Sequence, residues 1–150
     1  MSLDTLQDIL AFAMDKEDAS YRLYHEAAGK AGSISGRKMF EEMAEEEAGH
    51  KRLIARLDPE VVARYTFPHV PDLKIGDYLH DVAYRPDMTF QEILIFAMKE
   101  EEKAFQLYRR AESMTSDPEL KQMLLMLANE EKRHKFKLEA LYDDKVLTEM

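Results

Sequence analysis

Glutamate and histidine stand three residues apart twice in this chain, as Glu47 with His50 and Glu131 with His134. Residues at that spacing share one face of a helix, so each pair can present a carboxylate oxygen and an imidazole nitrogen to the same ion. One such pair arises easily by chance in a glutamate-rich chain, whereas two at equivalent places carry weight. Cysteine is absent, which removes disulfides, thiolate zinc sites, iron–sulfur clusters and cysteine nucleophiles. Any metal must be held by oxygen and nitrogen.

The two pairs belong to an internal repeat. Residues 5–58 align without a gap onto residues 89–142, an offset of 84. Thr5, Glu17, Tyr24, Glu46, Glu47 and His50 recur as Thr89, Glu101, Tyr108, Glu130, Glu131 and His134. Such self-similarity marks a repeated structural unit, and each half reads as a helical hairpin. The first helix is predicted from near Thr5 toward Ala28, ended by Gly29 and Gly32; the second runs from about Ser33–Ser35 to about Leu57, ahead of Asp58 and Pro59. In the second half Thr89 with Glu92 forms a capping box, and Ser116-Asp117-Pro118 sets a cap before a proline at the first helical position.

The expected fold is therefore all-α: a four-helix bundle of two pseudo-symmetric hairpins, one domain over residues 1–150. Between the halves, a segment holding Pro59, Pro68, Pro71 and Pro86 reads as a crossover rather than a helix, with one short helical turn near Ile75–His80. Its length suits a return along the whole bundle. Tyr65, Phe67, Tyr78 and Tyr84 in that segment read as packing residues on the bundle flank or at a subunit contact.

Read at helical period, every apolar stripe has one polar interruption. Positions 10, 13, 17, 20 and 24 are Leu, Ala, Glu, Ser and Tyr; positions 94, 97, 101, 104 and 108 are Leu, Ala, Glu, Ala and Tyr. The other two helices give Phe40, Met43, Glu47, His50, Ile54, Leu57 and Leu124, Leu127, Glu131, His134, Leu138, Leu141. Glu17, Glu47, Glu101 and Glu131 would thus face one core, where each ionised group costs several kcal/mol. They must be paired, protonated or metal-bound. Two divalent ions carry four positive charges, matching four carboxylates, and imidazole with carboxylate suits manganese, iron or zinc rather than calcium or magnesium. Six candidate metal ligands follow: Glu17, Glu47, His50, Glu101, Glu131 and His134.

Around them, Tyr24 and Tyr108 lie two turns from the lone glutamates of their own helices, where a phenol could donate a proton to a reacting oxygen; they are the candidate catalytic residues. Glu46 and Glu130 precede the paired glutamates and could accept from the outer nitrogen of a histidine on the facing helix. His25, His69 and His80 lack a partner at the metal-ligand spacing and read as surface or loop residues. Methionines such as Met14, Met43, Met98 and Met123 occupy core positions, where adaptable packing accounts for them.

At these residues the chain resembles the rubrerythrin family of the ferritin-like superfamily. The resemblance rests on Glu17 with Tyr24, Glu47-Ala48-Gly49-His50, Glu101 with Tyr108, and Glu131-Lys132-Arg133-His134. It implies that Glu47 and Glu131 bridge two ions while Glu17 and Glu101 are terminal, with Glu17 and His50 on one ion and Glu101 and His134 on the other. It also implies a di-iron oxidoreductase that reduces hydrogen peroxide or dioxygen. Two departures stand out. The cysteine-ligated rubredoxin module typical of the family has no counterpart here, so electrons are expected from a separate donor protein. A further carboxylate often found three residues after the third-helix glutamate is replaced by Ala104.

The ligand set admits manganese in place of iron, with zinc as a substitute in purified protein, so a manganese catalase-like activity and non-catalytic iron binding or storage are the alternatives. A formal charge of -9 disfavours nucleic acid and anionic lipid. No apolar stretch approaches the roughly 20 residues of a membrane span, and the N-terminus lacks a secretory pattern. A cytoplasmic homodimer is the expectation, the dimer resting on base rate and resemblance.

Overall fold

The structure, a computed structural model, describes residues 5–64, 85 and 87–149. Within them lie α1 (Leu6–Lys30), α2 (Ile34–Ala55), α3 (Pro59–Ala63), α4 (Phe90–Ser113) and α5 (Pro118–Glu149). The four long helices are the ones the repeat predicts. Each starts where a side chain satisfies a backbone N–H that no earlier turn can reach. Thr5 accepts from Asp8 N at 3.0 Å, Ser33 from Gly36 N at 3.1 Å, and Asp117 from Leu120 N at 2.9 Å. Thr89 and Glu92 form the full reciprocal box, each side chain accepting from the other's backbone N–H at 3.1 Å. Replacing Thr89 with alanine should therefore cost about 1 kcal/mol, read as a lower urea midpoint at unchanged m-value.

Three local details differ from expectation. Helix α1 continues through Gly29 to Lys30, because a single glycine costs a helix only about 1 kcal/mol and Ala27 and Ala28 remain buried in the core. Asp58 and Pro59 end one helix but also begin another: Asp58 accepts from Glu60 N at 3.0 Å and Pro59 opens the short α3. The last helix extends past the repeat, to Glu149. The aromatics Tyr65, Phe67, Tyr78 and Tyr84, the histidines His69 and His80, and the turn expected at Ile75–His80 lie outside the described residues.

Connections of three and four residues, 31–33 and 114–117, make α1 antiparallel to α2 and α4 antiparallel to α5. The hairpins meet mainly through α1 and α4, and α3 rests against α1. Two apolar clusters fill the bundle. One joins the start of α1 to the ends of α2 and α4 and the start of α5, around Leu6, Ile9, Ile54, Leu107 and Leu124. The other lies at the opposite end, around Tyr24, Ala27, Phe40, Met43, Leu94 and Leu138. Met43 is fully enclosed, while Met14, Met98 and Met123 pack against the clusters half-buried. Between these two apolar clusters sits one polar layer.

Candidate metal centre

The polar layer consists of Glu17, Glu47, His50, Glu101, Glu131 and His134, each at most 4% exposed. The structure brings all six sequence-predicted residues together, one glutamate from α1, one from α4, and a Glu-x-x-His pair from each of α2 and α5. Helical period is the reason: the stripe that places Leu10, Ala13 and Tyr24 in the core carries Glu17 inward with them.

The histidines face inward through Nδ1. His50 Nδ1 lies 2.8 Å from Glu131 Oε1, 3.5 Å from Glu17 Oε2 and 3.6 Å from Glu47 Oε1. His134 Nδ1 mirrors it, 2.9 Å from Glu47 Oε1, 3.7 Å from Glu101 Oε1 and 4.0 Å from Glu131 Oε2. The rings stack 6.1 Å apart, inclined by 18°.

Outward, His50 Nε2 is 3.0 Å from Glu130 Oε2 and His134 Nε2 is 3.2 Å from Glu46 Oε2. These contacts cross between α2 and α5, the facing-helix arrangement the sequence suggests for Glu46 and Glu130. A proton on Nε2 donates to the carboxylate and leaves the Nδ1 lone pair directed at the cluster, which is how an outer carboxylate selects a metal-binding tautomer. Burial pushes the Glu46 carboxyl up, but its hydrogen bond with His134 and the charges of His134, Arg133 and Lys137 outweigh that and hold it below the usual 4.5.

Arg133 was not singled out from the sequence. Its guanidinium touches Glu46 and stands 3.7 Å from Glu130, so it ties the two outer carboxylates together across the bundle. The repeat places Gly49 at the equivalent position, so only one half contributes such a clamp.

Tyr24 and Tyr108 are almost fully buried. Each hydroxyl reaches across to the lone glutamate of the other half, Tyr24 donating to Glu101 Oε1 and Tyr108 to Glu17 Oε1, the latter at 2.5 Å. The sequence associates each tyrosine with the glutamate of its own helix. The antiparallel crossing of α1 and α4 gives it the opposite one. Burial, and then the neighbouring carboxylate charges, push both phenols well above their usual 10, so they remain protonated donors.

The carboxylates answer to the same forces. Burial, then the charges of Glu101 and Glu17, raises Glu47 well above 4.5; burial, then Glu101, Glu47 and Glu17, does the same for Glu131. At Glu17 burial also pushes upward, but hydrogen bonds with His50 and Glu47 and the His50 charge prevail, and its carboxyl lies below 4.5. Burial would lower His50, yet its contacts with Glu17 and Glu130 raise it above 6.5.

Donor chemistry fits divalent metal. Glu101 Oε2 and Glu131 Oε2 are buried without a hydrogen-bond partner, Glu47 Oε1 and His134 Nδ1 lie 2.9 Å apart outside hydrogen-bonding geometry, and buried polar atoms seldom stay unpaired. Two groups of ligand atoms, each within 4.8 Å of one another, could hold an ion: Glu17, Glu47, His50 and Glu131, and Glu47, Glu101, Glu131 and His134. Glu47 and Glu131 belong to both. Oxygen with imidazole nitrogen is a donor set for iron, manganese or zinc. The one remaining histidine among the described residues, His25, is exposed and meets the Tyr21 ring edge-on.

The profile of the family described as Rubrerythrin matches residues 8–142. The chain belongs to the rubrerythrin family. Solved structures agree on the fold. A Thermotoga maritima protein described as ferritin-like and diiron-carboxylate is 22% identical, with 94% of this chain and 96% of that one covered at a TM-score of 0.75. A hypothetical protein from Pyrococcus furiosus is 26% identical, covering 97% and 93% at 0.74. A dodecameric thioferritin from Bacteroides fragilis, a bacterioferritin-related protein, is 24% identical, covering 96% and 88% at 0.73. Comparison with curated protein sequences gives no match. The rubrerythrin assignment and the ferritin-like four-helix bundle thus agree with the expectation from sequence. Among the described residues, no helix is long and apolar enough to cross a membrane.

Proposed function

We propose that this rubrerythrin-family chain is a single dimetal domain that holds two iron ions and reduces hydrogen peroxide or dioxygen with electrons from a separate donor protein. The observation that carries the reading is the pair of ligand groups sharing Glu47 and Glu131. On this reading Glu47 and Glu131 would be shared by the two ions, Glu17 and His50 would complete the ligands of one, and Glu101 and His134 those of the other. Bound as a pair, the ions would supply the two electrons that, with two protons, take hydrogen peroxide to two waters; dioxygen would need four electrons, so the donor protein would have to re-reduce the ions part-way. Tyr24 and Tyr108 hold the nearest protons, at Oη, beside Glu101 and Glu17, and are the proton donors of this reading. Glu46 and Glu130, clamped by Arg133, hold the imidazoles in the ligating tautomer. Manganese with catalase-like activity and non-catalytic iron binding are the readings the same ligands leave open. The expected setting is the cytoplasm, in a homodimer.

Metal analysis with optical spectroscopy on protein from its native host, followed by peroxide addition to the reduced form, tests the proposal. About two iron ions per chain and stoichiometric oxidation by peroxide, with water as product, are expected. Dioxygen release without a reductant would instead identify catalase chemistry. Stable iron that peroxide does not oxidise would leave only binding, and low, variable metal would reduce the cluster to a structural feature.

A further inference from the structure

The two hairpins repeat one sequence, but their outer seams are finished differently. In the second hairpin Glu112, near the end of α4, closes the seam: its carboxylate lies 3.2 Å from Arg109 Nε on its own helix and 3.9 Å from Lys121 Nζ on α5. The repeat puts His25, Ala28 and Arg37 at the places of Arg109, Glu112 and Lys121. An imidazole and a guanidinium therefore remain, with a methyl group at the place of the Glu112 side chain. Beside it Gly29 faces open space, where an added Cβ would meet nothing within 4 Å.

The result is a cleft of about 460 Å³ along the α1–α2 seam, with the buried Ala28 and Ala44 as its floor and Tyr21, His25, Arg37, Glu41 and Glu45 around them. That is the size of a small-molecule site. None of the six candidate metal ligands lines it.

Its ends differ in charge. On α2, Arg37, Glu41 and Glu45 follow at four-residue spacing, so Arg37 and Glu45 start about 12 Å apart along the helix. Because α1 runs antiparallel to α2, Gly29 falls at the Arg37 end and Tyr21 at the Glu45 end. Glu41 accepts from Arg37 Nε at 3.2 Å. Both side chains of that pair are exposed, so it contributes little, and the guanidinium keeps its Nη donors for a second acceptor. Compared with its repeat, the first hairpin lacks one carboxylate, at Ala28, and carries two more, Glu41 and Glu45 standing where the second has Leu125 and Asn129. A purely anionic ligand would meet those two glutamates and a purely cationic one would meet Arg37, whereas a molecule with both charges matches each end.

We propose that this cleft binds a small linear amino-carboxylate. Its carboxylate takes the place of the Glu112 side chain, between Arg37 and His25; its ammonium group lies against Glu45 and the face of the Tyr21 ring, where a cation is attracted; its methylenes cover Ala28 and Ala44. The site is separate from the dimetal reading and does not depend on it.

The probe is 6-aminohexanoate, whose charged groups stand at opposite ends of an alkyl chain, and hexanoate and hexylamine, each keeping one end, are its controls. Isothermal titration into the full chain should give saturable binding of 6-aminohexanoate with a Kd of about 1 mM or tighter. Either control should bind at least about tenfold more weakly, as expected when one charged contact is lost. Arg37→Gln and Glu45→Gln, both at exposed positions, should each weaken 6-aminohexanoate about tenfold or more. Ala28→Glu rebuilds the side chain of the second hairpin and should abolish binding without lowering the melting temperature. Hexylamine binding as tightly as 6-aminohexanoate would reduce the cleft to an acidic surface and overturn the proposal. Unchanged affinity in Ala28→Glu or Arg37→Gln, or no saturable binding by the wild type, would overturn it as well. Should Ala28→Glu fail to fold, the two exposed substitutions carry the test.

Discussion

Glu131→Ala is expected to lose both ions, whereas Glu17→Ala keeps one. Glu131 directs Oε1 to within 2.8 Å of His50 Nδ1 and Oε2 to within 4.0 Å of His134 Nδ1, so one carboxylate serves both imidazoles. Glu47 Oε1 likewise faces both, at 3.6 and 2.9 Å. Glu17 approaches only His50 and Glu101 only His134. Removing a shared carboxylate therefore strips a ligand from each position and leaves an excess positive charge between two adjacent cations. Loss of a residue that merely orients a ligand costs about 10–100-fold in metal affinity, so loss of a bridging ligand should exceed about 100-fold at both positions. Isothermal titration with ferrous or zinc ion under anaerobic conditions reads this directly. Glu47→Ala should follow Glu131→Ala, and Glu17→Ala should retain about one ion per chain. Equal losses in all three variants would remove the distinction between bridging and terminal carboxylates.

Chelation should lower the melting temperature, and by more at pH 8 than at pH 5.5. Metal bound at about a thousand times its Kd adds about 4 kcal/mol per site, roughly 10 °C for a domain of this size. The pH dependence follows from the shifted groups. Glu47 and Glu131 have folded pKa values raised above 4.5, chiefly by burial, so the metal-free fold binds protons that the unfolded chain has released. Its stability must then fall as pH rises above 4.5 and level off only beyond the folded values. His50, raised above 6.5, acts in the same direction: its contribution is full below 6.5 and lost as pH climbs through the folded value. Glu17, lowered below 4.5, contributes stability that is lost only as pH falls through its own value, outside this window. Metal replaces those protons and binds more tightly as pH rises, so the gap between loaded and stripped protein widens with pH. Calorimetry of both forms at the two pH values checks it; a gap that narrows would show that the carboxylates are not mutually repelling in the metal-free core.

Rubrerythrin-family character was legible in the sequence because helical period alone decides which residues share a face. Once Leu10, Ala13 and Tyr24 are assigned inward, Glu17 must follow. The repeat then lifts Glu47, His50, Glu101, Glu131 and His134 to the same standing, and the structure buries all six. Caps such as Thr89 with Glu92 were equally legible, since they depend on residues three apart. Asp58 and Pro59 carry the signal of a helix start as well as of a stop, and only chain context beyond Leu57 chose both.

What depends on how helices cross was not legible. Each tyrosine reaches the lone glutamate of the opposite half because α1 and α4 run antiparallel, a matter of distance between residues 77 and 91 positions apart. Arg133 bridges Glu46 and Glu130 only because α2 and α5 bring them within one side chain's reach. A faint signal did exist for Lys16 and Glu100, which are repeat equivalents of opposite charge. Such residues can meet only where α1 and α4 cross at the pseudo-two-fold axis, and there they pair at 3.3 Å. Local periodicity thus determined which groups enter the core, while packing between hairpins decided which nitrogen faces the cluster and which proton sits beside which carboxylate.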